Sequence, residues 1–232
     1  MSALPLDVTR LPRHVDISCV QAFHGRSDVE LLAERAVAGD FVSAHVLPSW
    51  LPLLRTLLEG SATLAGGPVG FPSGGTVTEV KVEEARRLLD LGAQELDVVV
   101  NVGQLRSGMI DDVRRELEVV VRTVDDAVPL RAILEVGYLD DQQILAGAQA
   151  AVDAGVPWVK TGTGWSGQAT EVRHIRLLAD AVQGRAQLKA AGGIRALSVV
   201  REMIALGVTR FGMNGEVAMR LAEEARGASE AP

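Results

Sequence analysis

A short β-branched apolar run followed by an amphipathic helical stretch recurs eight times along the 232 residues. The first four pairs are residues 14–20 with 28–38, 41–47 with 49–59, 62–70 with 76–91, and 95–102 with 110–126. The last four are 130–136 with 140–154, 158–161 with 170–182, 186–190 with 197–206, and 210–213 with 216–225. The runs are short and nearly continuous in Val, Ile and Leu, as strands of a buried parallel sheet must be. Gly39, Gly92, Gly155 and Gly207 each follow a helical stretch, where a left-handed glycine satisfies the last carbonyls. Eight such units predict an α/β fold, a single-domain (β/α)8 TIM barrel. An open doubly wound sheet is the rival, but it usually places a glycine-rich nucleotide turn after its first strand. The chain has Gln21-Ala-Phe-His-Gly25 there, which is no such turn.

Composition narrows the function classes. With 47% hydrophobic residues the chain can bury a sizeable core, and one barrel accommodates this length. A formal charge of −7 and the lack of any basic block argue against a nucleic-acid partner. No apolar run is long enough to span a bilayer, and residues 1–13 lack the apolar core of a signal peptide. A cytoplasmic protein with no membrane partner is expected, with a disordered tail over 227–232. Cys19 is the only cysteine, so neither an internal disulfide nor a cysteine metal cluster can form. Of 23 lysines and arginines, only Lys81, Lys160 and Lys189 are lysines. Where arginine has been preferred so strongly, a retained lysine fits a place that needs an amine able to lose its proton, and it fits chance survival as well. Lys81 is read as a chance survivor.

Barrel active sites lie at the carboxyl ends of the strands. The polar residues expected there are Asp16 and Ser18, His45, Asp97 and Asn101, Glu135, Lys160, Thr161 and Thr163, Lys189 with Gly192 and Gly193, and Asn214. Asp97, Lys160 and Lys189 each interrupt an apolar strand, and an ionised group in such a place is costly unless paired. Meeting in the barrel mouth, the three would form a chemical unit. A second ammonium and partial desolvation both depress a lysine pKa. The neutral amine then attacks a carbonyl, and the resulting iminium accepts the electron pair of a breaking C–C bond. Asp97 would relay a proton. The same spacing fits a structural ion network in which one aspartate is shared by two lysines, and both readings stay open. His45 fits a packed histidine as well as a catalyst, and Glu135 fits a proton carrier as well as a structural partner of a lysine. In Lys189-Ala-Ala-Gly-Gly-Ile-Arg195, the Gly192-Gly193 backbone before a helix suits an anion and Arg195 adds charge, although the pair also fits a plain tight turn.

Several ordered motifs carry a resemblance. Glu95-Leu-Asp-Val-Val-Val-Asn-Val-Gly103, Val159-Lys-Thr-Gly-Thr-Gly164 and Lys189-Ala-Ala-Gly-Gly-Ile-Arg195 resemble the signatures of deoxyribose-phosphate aldolases. So do Val15-Asp-Ile-Ser18, Gly70-Phe-Pro-Ser-Gly74 and Thr78-Glu-Val-Lys81. The resemblance spans nearly the whole chain and implies a class I aldolase without a metal or other cofactor. Such an enzyme interconverts 2-deoxyribose 5-phosphate with glyceraldehyde 3-phosphate and acetaldehyde. It implies Lys160 as the Schiff-base lysine and Asp97 with Lys189 as the proton-relay pair. Gly164, Gly192, Gly193 and Arg195 correspond to positions around the phosphate, with Asp16, Ser18, Thr163 and Asn214 expected at the substrate. It also implies a homodimer.

Departures from the pattern bear on the substrate. After the eighth strand the family usually has Gly-Thr-Ser-Ser-Gly, whereas this chain has Gly212-Met-Asn-Gly-Glu216. Both serines are missing, and a carboxylate near a phosphate is repulsive unless a cation intervenes. Lys-Thr-Gly-Thr-Gly replaces Lys-Thr-Ser-Thr-Gly, and His45 stands where a small residue or cysteine is usual. Three functions follow: the family reaction, an aldolase of the same mechanism for a different or unphosphorylated aldehyde, and a non-catalytic metabolite-binding barrel.

Overall fold

The computed structural model describes residues 7–230. Eight parallel strands close in sequence order into one barrel. They are β1 Val15–Cys19, β2 Ser43–Val46, β3 Leu64–Val69, β4 Glu95–Val99, β5 Leu130–Ile133, β6 Trp158–Lys160, β7 Gln187–Ala191 and β8 Val208–Met213. The helices are α1 Arg26–Ala38, α2 Leu51–Leu57, α3 Thr78–Asp90, α4 Val102–Arg106, α5 Ile110–Val124, α6 Asp141–Asp153, α7 Val172–Val182, α8 Leu197–Ala205 and α9 Gly215–Glu230. The expected (β/α)8 barrel is therefore the architecture. No described helix is long and apolar enough to cross a membrane.

Burial explains the two periodicities. On α5, Val113, Leu117, Val120 and Val124 recur at helical spacing and are buried, while Asp111 and Asp112 favour its amino end. Along the strands, Ile17, Ala44, Leu96, Val98, Ala132, Val159, Ala190 and Phe211 are wholly buried members of the apolar core. The residues alternating with them include Asp16, Glu95, Asp97, Arg131, Lys189 and Arg210, so period two sends apolar groups to the helices and charged groups inward.

Several boundaries differ from the sequence reading, each for a local reason. The run expected to continue to residue 102 stops at Val99, because Asn101 caps α4 by accepting from the Gln104 amide at 3.1 Å. Asn101 is thus a helix cap. The fifth strand ends at Ile133, although Leu134 and Val136 still donate to Lys160 and Thr161, and the chain turns at Glu135 with φ 58°. Gly92, Gly155 and Gly207 take the left-handed turn, but Gly39 does not: Asp40 adopts φ 52° instead. A Cβ on Gly39 would lie 2.4 Å from the Phe41 ring, so that glycine serves close packing. The helix α9 runs to Glu230, so residues 227–230 of the tail expected to be disordered are helical, and 231–232 lie outside the described residues. A 3-10 turn, Val8–His14, packs on α9 and buries Leu11 and Pro12; the sequence reading assigned no element there.

Lys81 is no chance survivor. It is wholly buried on α3, donates to the Val99 carbonyl at 2.8 Å and pairs with Glu116 of α5 at 2.5 Å. Burial pushes its ammonium down from the ordinary lysine value, and Glu116 pulls it back. The pair ties two helices to the end of β4. Removing one partner leaves a buried charge uncompensated, so Lys81→Met is expected to cost about 3–5 kcal/mol in urea unfolding. Lys81→Met with Glu116→Leu is expected to recover most of that loss, because replacing both partners removes the orphan.

Candidate active site

The carboxyl ends of the strands surround a cavity of about 430 Å³. Its floor is made by inward residues of β4, β6 and β7. Lys160 of β6 donates to Asp97 Oδ2 of β4 at 2.6 Å, and Lys189 of β7 donates to the same oxygen at 2.9 Å. The two lysines are register partners on neighbouring strands, which brings both amines to one carboxylate. Asp97, Lys160 and Lys189 therefore meet as the sequence reading required. They differ in access: the Lys160 side chain is 12% exposed and that of Lys189 1%. Lys189 is held by two carboxylates, Asp97 and Asp16, whereas Lys160 pairs with Asp97.

Below this trio lies a second tier of charge that the sequence reading missed. Arg210 of β8 donates to Asp16 at 2.6 Å and to both oxygens of Glu95 at 2.6 and 2.8 Å. Arg131 of β5 donates to Glu95 at 2.6 Å and lies 3.5 Å from Asp97 Oδ1. The Arg131 guanidinium also sits 5.3 Å from the centroid of the Trp158 ring. Glu95, Arg131 and Arg210 were legible in one respect: each falls in one of the eight short apolar runs, and Glu95 stands two residues before Asp97. Barrel interiors are usually filled with branched aliphatic side chains, so a charged interior departs from the ordinary packing solution.

Electrostatics in this interior are strongly coupled. Burial would raise the Asp97 carboxyl, but Lys160 and Lys189, then His45 and Arg131, hold it well below the usual range. Asp16 is likewise held well below that range, with Lys189 and Arg210 outweighing burial. Burial and Asp16 would raise Glu95, but His45, Arg131 and Arg210 bring it to about 2. Burial pushes the Lys189 ammonium down to about 8, with Asp16 and Asp97 pulling against it and Lys160 adding to it. Lys189 is the more buried of the two amines and lies between two carboxylates. Asp16, His45 and Glu95 bring three potential ligand atoms within 4.8 Å of one another. Lys189, Arg131 and Arg210 already neutralise those carboxylates, so a divalent ion would meet three competing cations there.

The remaining expected residues divide between the cavity wall and its support. Ser18, Thr163, Gly164, Gly192, Gly193, Arg195 and Asn214 all line the cavity, and Asp16 lies in its floor. Asp16 is engaged by Lys189 and Arg210 rather than standing free for a ligand. The Thr163 hydroxyl donates to Glu135 and accepts from the Trp165 amide. Glu135 also accepts from the Thr163 amide at 3.1 Å, so its carboxylate clamps the loop after Lys160 and pairs with neither lysine. Asn214 accepts from the Val217 amide at 2.9 Å and caps α9. Gly192 and Gly193 adopt φ 101° and 70°, and a Cβ on Gly193 would lie 2.8 Å from Ala169. The left-handed backbone at both positions, and the close approach of Gly193 to Ala169, favour glycine in this part of the cavity wall. Glu216 lines an adjoining cavity of about 170 Å³ with His24 and Arg35. Thr161 is buried and bonds to the Ala191 backbone, a structural tie between the ends of β6 and β7.

Comparison with known proteins agrees with this geometry. No protein-family model matches the chain. A curated deoxyribose-phosphate aldolase from Sinorhizobium medicae is 49% identical over 224 residues, which are 96% of this chain and 89% of the relative. Another, from Klebsiella pneumoniae, is 46% identical over 218 residues, 92% of this chain and 87% of the relative. Among solved structures, the tetrameric deoxyribose phosphate aldolase from Aeropyrum pernix superimposes with a TM-score of 0.84 at 26% identity, covering 94% of this chain and 91% of that one.

The buried carboxyls set the acid limit of the fold. Held below their unfolded values, they bind fewer protons in the folded state than in the unfolded chain. For Glu95 the stability gained is fully present above about pH 4.5 and is lost as pH falls through about 2. Thermal unfolding followed from pH 6 to about 2 is expected to show a melting temperature that falls steeply over this range, and Glu95→Gln is expected to flatten the slope.

Proposed function

The chain belongs to the deoxyribose-phosphate aldolase family, and we propose that Lys160 is the amine through which it makes and breaks carbon–carbon bonds. The enzyme is a carbon–carbon lyase that reversibly cleaves 2-deoxy-D-ribose 5-phosphate to glyceraldehyde 3-phosphate and acetaldehyde. One observation carries the residue assignment: Lys160 is the more exposed of two lysines that share a single Asp97 oxygen at the cavity floor.

In the cleavage direction the Lys160 amine adds to the C1 aldehyde of the open-chain sugar, and water leaves to give an iminium. A proton leaves the C3 hydroxyl, the C2–C3 bond breaks, and its electron pair passes into the iminium to give an enamine. C3 departs as the new aldehyde. The enamine is protonated at C2, and water hydrolyses the imine to acetaldehyde and free Lys160. Asp97, with Lys189 behind it, holds and returns the proton, since one carboxylate oxygen touches both amines. The glycine turns at Gly164 and Gly192–Gly193, with Arg195 on the cavity wall, supply positive backbone and side-chain groups for the anionic end of the substrate. Glu216 borders the adjoining cavity, which eases the repulsion anticipated from its position in the sequence.

Met213 and Asn214 offer no hydroxyl at the end of β8, and this favours a second reading in which the acceptor aldehyde carries no phosphate. Cleavage of 2-deoxyribose with and without the 5-phosphate separates the two. Loss of activity without the phosphate supports the first.

Incubation with acetaldehyde and borohydride is expected to leave one ethyl group on Lys160, read by peptide mass mapping. An unmodified Lys160 would overturn the assignment and favour a binding barrel. Lys160→Arg keeps the charge and loses the nucleophile, so it is expected to abolish turnover while circular dichroism and melting stay near wild type.

A further inference from the structure

We propose that His45 is a positioning residue of this active site, holding the three interior carboxylates so that one Asp97 oxygen can serve Lys160 and Lys189 together. The inference rests on the assignment of those three residues and extends it to a side chain that the mechanism leaves idle.

His45 stands on β2, is 5% exposed and lines the cavity. Its register partner on β3 is Gly66, and a Cβ there would lie 2.4 Å from two atoms of the imidazole ring. The third strand thus gives up a side chain to make room for this ring. The ring lies among all three acids. Its Nε2 is 3.2 Å from Glu95 Oε2 and 3.7 Å from Asp16 Oδ2, and its Nδ1 is 4.0 Å from Asp97 Oδ2.

The other partners of these acids each reach fewer of them. Lys189 pairs with Asp16 and Asp97, Arg210 with Asp16 and Glu95, Arg131 with Glu95 and Asp97, and Lys160 with Asp97. Among the described lysine, arginine and histidine side chains, His45 alone brings ring nitrogens within 4 Å of all three acids. Its firmest contact is to Glu95, which two arginines already fix. The ring is therefore anchored at its Glu95 edge and presents its other edge to the Asp97 oxygen that both lysines use. Three carboxylates packed this closely repel one another, and a polar ring among them limits how far Asp97 can move from the lysines. The anion-binding turns at Gly192–Gly193 lie on a different part of the cavity wall, so His45 acts on the chemical step and leaves substrate capture alone.

The test compares His45→Ala and His45→Gln with the wild type in steady-state cleavage of 2-deoxyribose 5-phosphate, alongside borohydride trapping and thermal unfolding. Misplacement of a reacting group by about 1 Å costs on the order of 10²-fold, so His45→Ala is expected to lower kcat by about that factor with KM within about threefold. His45→Gln keeps a donor for Glu95 and is expected to recover about tenfold of the loss, with folding unchanged in both. If the alanine chain does not fold, His45→Leu fills the space beside Gly66 without a polar edge and takes its place. A kcat within about twofold of wild type, a loss carried by KM, or a glutamine variant as impaired as the alanine one would overturn the proposal. The wild type distinguishes the two layers: trapping on Lys160 with unaffected His45 variants sinks only this inference. A wild type that does not trap sinks the Lys160 assignment, and this inference with it.

Discussion

A single carboxylate oxygen, Oδ2 of Asp97, accepts from two lysines inside the barrel, and the arrangement of the active site depends on it. A charge removed from water needs partners with good geometry, and one acid shared by two amines is not self-sufficient. The second tier completes the pairing. Asp16 takes up Lys189, Arg210 joins Asp16 to Glu95, and Arg131 joins Glu95 to Asp97. The interior of this barrel is thus a closed electrostatic network of residues from six strands, with His45 of a seventh strand set among its acids. Lys160, at the top of that network, is open to the cavity.

Such an interior separates two tasks that most barrels merge. Packing is left to the layer between strands and helices, where the apolar core is continuous. The inside of the strand ring is given over to holding amines and carboxylates at fixed distances. Charges fixed in a water-poor space need no reorganisation during reaction, and this is the main source of electrostatic catalysis. The cost is a fold that depends on the ionisation of its interior acids, which the coupling among Asp16, Glu95 and Asp97 makes explicit. Outside the barrel, the buried Lys81–Glu116 pair uses the same device for a purely structural end.

The loops repeat this division between chemistry and support. Glu135 takes up Thr163 and clamps the turn after Lys160, while Asn214 caps α9 and Asn101 caps α4. Read as isolated polar residues at strand ends, all of these look like candidates for chemistry. Their hydrogen-bond partners show that much of this polarity holds the loops in place. Arg195, Ser18 and the glycine turns also line the cavity wall.

Hydropathy periodicity alone determined the barrel, because a strand buried between a helix layer and a filled interior must be short and largely apolar, and eight of them in alternation leave few other closures. The isolation of Lys160, Lys189 and Asp97 within apolar strands likewise singled out three groups that meet at the cavity floor. The sequence could not reveal which charges neutralise one another. Arg210 and Glu95 lie 115 positions apart and Lys189 and Asp97 lie 92 apart, so their contacts arise only when the barrel closes. Nor could it tell Lys81 as a fastener from a chance survivor, or Glu135 as a loop clamp from a proton carrier. Those roles are set by what a side chain meets across the fold, and no local pattern encodes that distance.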